Sequence, residues 1–178
     1  GAGVPTNIRE SAKWFLRAAE QGHATAAHNI AACYANGTGV ERDATKAIEW
    51  YKKAAARGIT ASQVQLGKLL YSAKEDSARD QTLAADLLQK AAATGDPEAK
   101  MALAILYLQG EGVARDLSRA KDLLKQAAEN SHPGAALQLG HVCFGKYGSD
   151  VQEINRSEAI GWYTKAAEAG NAEAQHIL

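Results

Sequence analysis

The sequence predicts an all-α solenoid, in which antiparallel helix pairs stack side by side, and three observations support this fold class. A basic residue or glutamine followed by two alanines and a closing glycine or serine recurs five times, at intervals of 36–39 residues. Alanine is abundant and only 6% of the residues are aromatic, which favours closely packed helices over β-strands. Apolar side chains also recur at spacings of four and eight residues, the period of one helix face.

The closing residues of this motif divide the chain into repeats. They are Gly22, Gly58, Gly95, Ser131 and Gly170. We therefore expect one solenoid domain over residues 1–178, cut from a longer array of repeats. Its parts are the second half of a repeat at 1–22, complete repeats at 23–58, 59–95, 96–131 and 132–170, and the start of another at 171–178.

Each repeat is predicted to form a first and a second helix. In the first helix, the position eight residues after the closing residue is always apolar, so we expect it to be buried. This position holds Ile30, Leu66, Leu103, Leu139 and Leu178. In the second helix, a small residue such as Ala47 precedes a bulky pair such as Trp50 and Tyr51. We expect the small residue to permit close helix packing and the bulky pair to fill the adjacent core.

The turn between the two helices has its own pattern. Gly37 is expected to end the first helix, Val40 to reach into the core, and Asp43 to cap the second helix. The same turn recurs around Gly110 and Asp116. A single helix pair cannot bury its apolar face, so the repeats must stack to form a core.

These residues resemble the Sel-1-like repeat (SLR), a relative of the tetratricopeptide repeat. Residues 23–58 carry the pattern at Ala26, Ile30, Ala31, Tyr34, Gly37, Gly39, Val40, Asp43, Lys46, Ala47, Trp50, Lys53, Ala54, Ala55 and Gly58. The resemblance implies a right-handed superhelix with first helices on its concave side. It also implies a scaffold or adaptor that binds a protein or peptide, without catalysis or cofactor. The turns at 72–80 and 145–155 are longer than the pattern, through sequence drift or because they contact a partner.

One face of the first helices is not required for packing. Its positions lie three, seven, ten and fourteen residues after each closing residue and share one side of the helix. The candidate partner-binding residues on this face are Asn29, Asn36, Gln65, Lys68, Ser72, Gln109, Gln138 and His141. Asn29, Gln65 and Gln138 form an amide row suited to hydrogen bonding an extended peptide. The alternative is a solvated face that binds nothing.

Several functional classes are disfavoured by composition and spacing. Lysine and arginine balance aspartate and glutamate at 20 each, with the signs alternating along the chain, which argues against nucleic acid as a partner. The longest apolar run, residues 101–108, is too short to cross a membrane. The five histidines lack the spacing of a metal site. Cys33 and Cys143 lie three repeats apart, so we expect them to be unpaired, buried thiols.

One short motif keeps an enzyme as an alternative. Ser118 and Lys121 fit the Ser-x-x-Lys pattern of penicillin-recognising enzymes. The companion motifs of those enzymes are missing, and Ala120 occupies the small position of its repeat. We therefore interpret Ser118 as an ordinary first-turn residue and expect no catalysis. A structural spacer between other domains is the third interpretation.

The compartment is left open by the sequence. Residues 1–5 lack the charged and apolar regions of a signal peptide, which is therefore absent or already removed. The alanine-rich composition favours a bacterial source, for which the periplasm or secretion is favoured over the cytoplasm. Because neither end carries a polar capping repeat, the open ends permit end-to-end self-association.

Overall fold

A computed structural model describes residues 7–72, 78–148 and 155–178. These residues form ten α-helices and no β-strand, which confirms the predicted all-α class. The helices are α1 (Ile8–Glu20), α2 (Ala24–Asn36), α3 (Ala44–Ala56), α4 (Thr60–Ser72), α5 (Ala78–Ala93), α6 (Pro97–Gln109), α7 (Leu117–Glu129), α8 (Pro133–Cys143), α9 (Arg156–Glu168) and α10 (Ala172–Ile177).

The helices belong to two compact units, the first holding α1–α4 and the second α5–α10. Within each unit, every helix packs against the next one along the chain. Even-numbered helices are the first helices of the repeats and odd-numbered helices are the second. This stacking of helix pairs in chain order is the arrangement of an α-solenoid.

The turn between first and second helices has the predicted capping residues. Gly37 ends α2 with a φ of 72°, and its N–H donates to the carbonyl oxygen of Cys33. The Asp43 carboxylate caps α3 by accepting a hydrogen bond from the Lys46 N–H at 2.9 Å. Gly110 and Asp116 repeat both features in the second unit. These contacts satisfy backbone groups that a helix end leaves unpaired, and they confirm the predicted turn.

The core consists of the predicted apolar and small positions. The first-helix positions are at most 3% exposed at Ile30, Leu66, Leu103 and Leu139. The small positions of the second helices are fully buried at Ala47, Ala84, Ala120 and Ala159. Leu178 is the exception at 61% exposed.

The bulky pairs of the second helices differ from the prediction. In four of the five pairs only the second member is buried, at Tyr51, Leu88, Leu124 and Tyr163. In the pair on α1, Phe15 is only partly buried. Consecutive helical residues point about 100° apart, so both members of a pair cannot face the same core. The tryptophans lie at the surface instead, each beneath a cation three residues further on: Arg17 over Trp14, Lys53 over Trp50 and Lys165 over Trp162.

Two turn glycines of the first unit share a backbone conformation but differ in their surroundings. Gly39 has a φ of 75° and Gly58 a φ of 83°, a region that side chains other than glycine seldom adopt. A Cβ at Gly39 would collide with the backbone carbonyl of Ile8, whereas a Cβ at Gly58 would meet nothing within 4 Å. The turn at Gly39 therefore packs directly on the start of α1.

We expect Gly39→Ala to lower the free energy of unfolding by about 3 kcal/mol and Gly58→Ala by about 1 kcal/mol. Both substitutions add the same methyl group at a positive φ, so the difference between them measures the collision with Ile8. Urea denaturation followed by circular dichroism checks the comparison. Equal losses in the two variants would show that the turn does not press on α1.

Candidate partner-binding face

In the first unit, the candidate binding residues lie on an accessible face of α2 and α4. Asn36, Lys68 and Ser72 are exposed, and Asn29 and Gln65 are half-buried. The Ser72 hydroxyl donates to the carbonyl oxygen of Leu69 at 3.1 Å. All five predicted positions therefore have side chains that a partner could reach.

Asn29 and Gln65 combine partial burial with available hydrogen-bonding groups. They occupy the same position in consecutive repeats, on α2 and α4 respectively. Neither side-chain amide forms a hydrogen bond with any other residue that the structure describes. Each amide can both donate and accept. The two helices thus present two matched amide groups that the fold itself does not use.

A buried hydrogen bond connects α2 and α4 beside these amides. His28 Nδ1 lies 2.8 Å from Ser62 Oγ, and Ser62 is fully buried. The His28 ring also packs against Tyr51 on α3, with 5.5 Å between ring centroids. His28 is next to Asn29 on α2, and Ser62 lies one turn before Gln65 on α4. This bond therefore connects the two helices close to the amides.

The histidine link was not predicted from the sequence. His28 and Ser62 stand at different positions of their repeats, so aligning the repeats does not pair them. The available signal was a polar residue on each of two neighbouring first helices, at positions where the other complete repeats have small or apolar residues. A search for complementary polar pairs about one repeat apart would have found it.

In the second unit, the predicted residues are mostly engaged in internal contacts. Gln138 accepts a hydrogen bond from the Tyr147 hydroxyl at 2.7 Å. His141 is 6% exposed, and its ring meets the Tyr163 ring edge-on at 5.6 Å. The expectation that His141 lies on an open face is corrected here, because α9 and the turn after α8 cover it. Gln109, at the end of α6, is exposed.

Further polar contacts occupy the first helices of this unit. His132 Nε2 lies 2.8 Å from a carboxylate oxygen of Glu98. Its Nδ1 accepts the Ala135 N–H at 3.2 Å, so His132 caps the start of α8. His23 occupies the corresponding position before α2 without a side-chain cap.

The two halves of the sequence carry opposite net charge. Residues 1–73 contain nine lysines and arginines against five aspartates and glutamates, whereas residues 74–178 contain eleven against fifteen. The neutral balance of the whole chain conceals this difference, and so does the local alternation of signs. Counting charges by halves would have revealed it from the sequence. The first unit is therefore the basic one.

The remaining candidate chemistry is sparse in the described residues. They contain no group of three or more histidine, cysteine, aspartate or glutamate residues that could hold a metal ion. Within the same residues, no helix is long and apolar enough to cross a membrane. Cys33 and Cys143 are free, and desolvation raises the pKa of each thiol. Cys143 is buried as expected, whereas Cys33 is only partly buried, which corrects that expectation.

The residues of the Ser-x-x-Lys motif lie on α7. Ser118 is exposed, and the Lys121 ammonium lies 3.4 Å from a carboxylate oxygen of Glu158. Residues 73–77 and 149–154, which make up most of the two longer turns, lie outside the described residues. A partner contact by those turns stays a prediction.

The fold and its repeat pattern define an α-solenoid repeat protein. The model of the Sel1 repeat matches five segments that together span residues 1–171, so the chain belongs to the Sel1 repeat family. The matched segments are 1–23, 24–59, 60–96, 97–132 and 133–171.

Solved structures and a curated relative show the same similarity. A Sel1 repeat protein from Oxalobacter formigenes is 30% identical, with a TM-score of 0.85 over 99% of this chain and 68% of that one. A protective antigen of uropathogenic Escherichia coli with an SLR fold is 36% identical, with a TM-score of 0.78 over 98% of this chain and 37% of that one. An uncharacterized protein of Neisseria meningitidis serogroup B is 29% identical over 176 residues, 99% of this chain and 36% of the relative. The chain thus spans little more than a third of the latter two proteins.

The buried histidines predict how stability depends on pH. Burial lowers the pKa of His28 below its ordinary value of 6.5. The pKa of His141 is also lowered, by burial and then by the Lys146 ammonium, against an opposing effect of Glu173. The unfolded chain therefore binds these protons at a higher pH than the folded chain does. The stability that these histidines contribute is therefore present above pH 6.5 and is lost as the pH falls from there through their lowered pKa values in the folded chain.

We expect the free energy of unfolding to decrease between about pH 8 and about pH 5. His28→Gln should flatten part of this dependence, and His28→Gln combined with His141→Gln should flatten it further, because glutamine does not titrate. Urea denaturation at a series of pH values measures the slopes. A wild-type slope retained in the double variant would mean that other groups cause the acid sensitivity.

Proposed function

We propose that the chain is a protein-interaction module that binds an extended segment of a partner protein across α2 and α4. Sel1 repeat proteins are typically protein-interaction scaffolds, and their fold is generally non-catalytic. The observation that carries the proposal is the pair of half-buried amides, Asn29 and Gln65, whose hydrogen-bonding groups the described fold leaves unused.

Side-chain amides suit the backbone of an extended peptide. Each can donate to a peptide carbonyl and accept from a peptide N–H, so binding would depend little on the side chains of the partner. Asn29 and Gln65 are held by helices that the His28–Ser62 bond connects. Their positions are therefore set before a partner arrives, which reduces the entropy lost on binding.

The neighbouring residues leave room for a peptide backbone. Ala32 on α2 and Ala61 on α4 are small and partly or fully exposed, so no bulky side chain at either position blocks the amides. Lys68 lies three residues after Gln65 on the exposed side of α4.

No observation favours the enzyme alternative. The Lys121 ammonium is paired with Glu158, so it is not available as the base that a neighbouring serine nucleophile would need. We therefore propose binding without turnover.

The proposal is tested with Asn29→Ala combined with Gln65→Ala. The matched control removes two exposed amides from second helices, with Gln21→Ala at the end of α1 and Gln89→Ala on α5. Each protein is used as bait in extracts of the source cell, and captured proteins are identified by mass spectrometry. A specific partner should be retained by wild type and control and lost by the first-helix variant.

The affinity for the purified partner then gives the size of the effect. If each of the two hydrogen bonds contributes about 1 kcal/mol, the variant should bind the partner about tenfold to thirtyfold more weakly than wild type. Isothermal titration calorimetry measures this loss of affinity. Equal capture by wild type and the first-helix variant would rule out the α2–α4 face as the binding site.

A further inference from the structure

A cleft on the second-helix side of the first unit has features that the proposed function does not use. It lies between the end of α1, the start of α2 and α3, and has a volume of about 630 Å³. Its floor consists of small residues and the Trp50 side chain forms one wall. The small lining residues are Ala19, Gly22, Ala24, Ala27 and Ala56.

The rim of this cleft carries cations without acidic partners. Lys53 lies over the Trp50 ring, 3.8 Å from its centroid, and Arg57 donates a hydrogen bond to the carbonyl oxygen of Gly22. Within the part of the chain that the structure describes, neither side chain pairs with a carboxylate. Glu20 is the acidic residue among those that line the cleft.

The adjacent helix extends this positive surface. Arg9, Lys13 and Arg17 are spaced four residues apart on α1 and are exposed, so they share one side of that helix. They too form no ion pair with a described residue. Both second helices of the basic unit therefore carry cations without a described ion pair. Lys53 and Arg57 line the cleft, whereas the three cations of α1 line a separate one together with Glu10.

These features together define the chemistry of a ligand. Unpaired cations attract carboxylates and speed encounter with an acidic surface. A tryptophan wall above an alanine floor offers an apolar space within the usual volume of ligand sites, about 300–1,000 Å³. Such a site fits an acidic segment that carries one large apolar side chain.

We propose that this cleft is a second docking site, which binds an acidic segment of a partner protein and inserts one apolar side chain of that segment beside Trp50. The segment's carboxylates pair with Lys53 and Arg57. The site is separate from Asn29 and Gln65.

The second unit provides an internal comparison. A cleft at the corresponding place between α5, α6 and α7 has a volume of about 240 Å³. Leu123 and Gln126 stand there in place of Trp50 and Lys53. This cleft is smaller, and the ring and stacked cation that line it are Tyr107 and Arg119, with the guanidinium 5.3 Å from the ring centroid. The tryptophan–lysine pair and the larger volume therefore belong to the cleft of the first unit.

The test begins with a random-peptide phage library panned against the wild-type chain. We expect enriched peptides to carry several aspartates or glutamates around one aromatic or large aliphatic residue. Fluorescence anisotropy with a labelled enriched peptide then compares variants. Lys53→Glu and Trp50→Ala should each weaken binding at least tenfold, and raising the salt concentration should weaken binding to wild type.

Two controls separate the cleft from other causes. Lys165→Glu changes the net charge equally at a lysine that is likewise stacked on a tryptophan, Trp162, at 4.3 Å, and it should leave binding unchanged. Asn29→Ala combined with Gln65→Ala should also leave it unchanged, so this proposal and the proposed function can fail independently. Circular dichroism verifies that Trp50→Ala is folded. The Lys53 side chain is exposed, so Lys53→Glu tests the same site without removing the Trp50 ring.

Several outcomes would overturn the proposal. These are no enrichment of peptides, enriched peptides without acidic bias, or an equal effect of Lys53→Glu and Lys165→Glu. Displacement of the peptide by single-stranded DNA at equal charge concentration would assign the surface to nucleic acid. Self-association of the wild type that Lys53→Glu abolishes, measured by analytical ultracentrifugation, would identify a second copy as the occupant.

Discussion

The structure depends on the close approach of neighbouring helices at buried alanines. Each alanine buries little apolar surface, so one helix pair gains too little from its own contacts to offset the entropy of folding. The gain accumulates only when each helix packs on the helices before and after it, as happens within both units. Stability is therefore shared along the repeats and not concentrated in one large core.

The close approach of the helices also determines which bulky side chains are exposed. Helices packed on small residues leave room for only one bulky side chain of each pair in the core. Tyr51 is buried there, and Trp50 is only partly buried. Aromatic rings that a thicker core would bury instead line shallow clefts. Cations from the same helix lie over these rings. The apolar and charged character of the proposed docking cleft is thus a result of how the core is filled.

The sequence predicted the features that are local and repeated. The helix class, the caps at Gly37 and Asp43 and the buried position of Ile30 follow from spacing and turn chemistry within one repeat. The burial of His141 and the surface position of the tryptophans were not predicted. Both depend on which side chains of a neighbouring helix pack against these residues. The sequence of a single repeat does not specify those contacts. The partner-binding role of the first-helix face stays a prediction, with Asn29 and Gln65 as its matched pair of amides on neighbouring first helices.

The bond between His28 and Ser62 limits how freely the repeats can be exchanged. Ser62 corresponds to Ala26 in the repeat at 23–58, so a tandem array built from identical copies of that repeat would place alanine opposite every His28. Each copy would then hold a half-buried imidazole without its hydroxyl partner. A consensus design based on this sequence must therefore include the histidine and the serine together. The smallest unit that contains the bond is a pair of adjacent repeats.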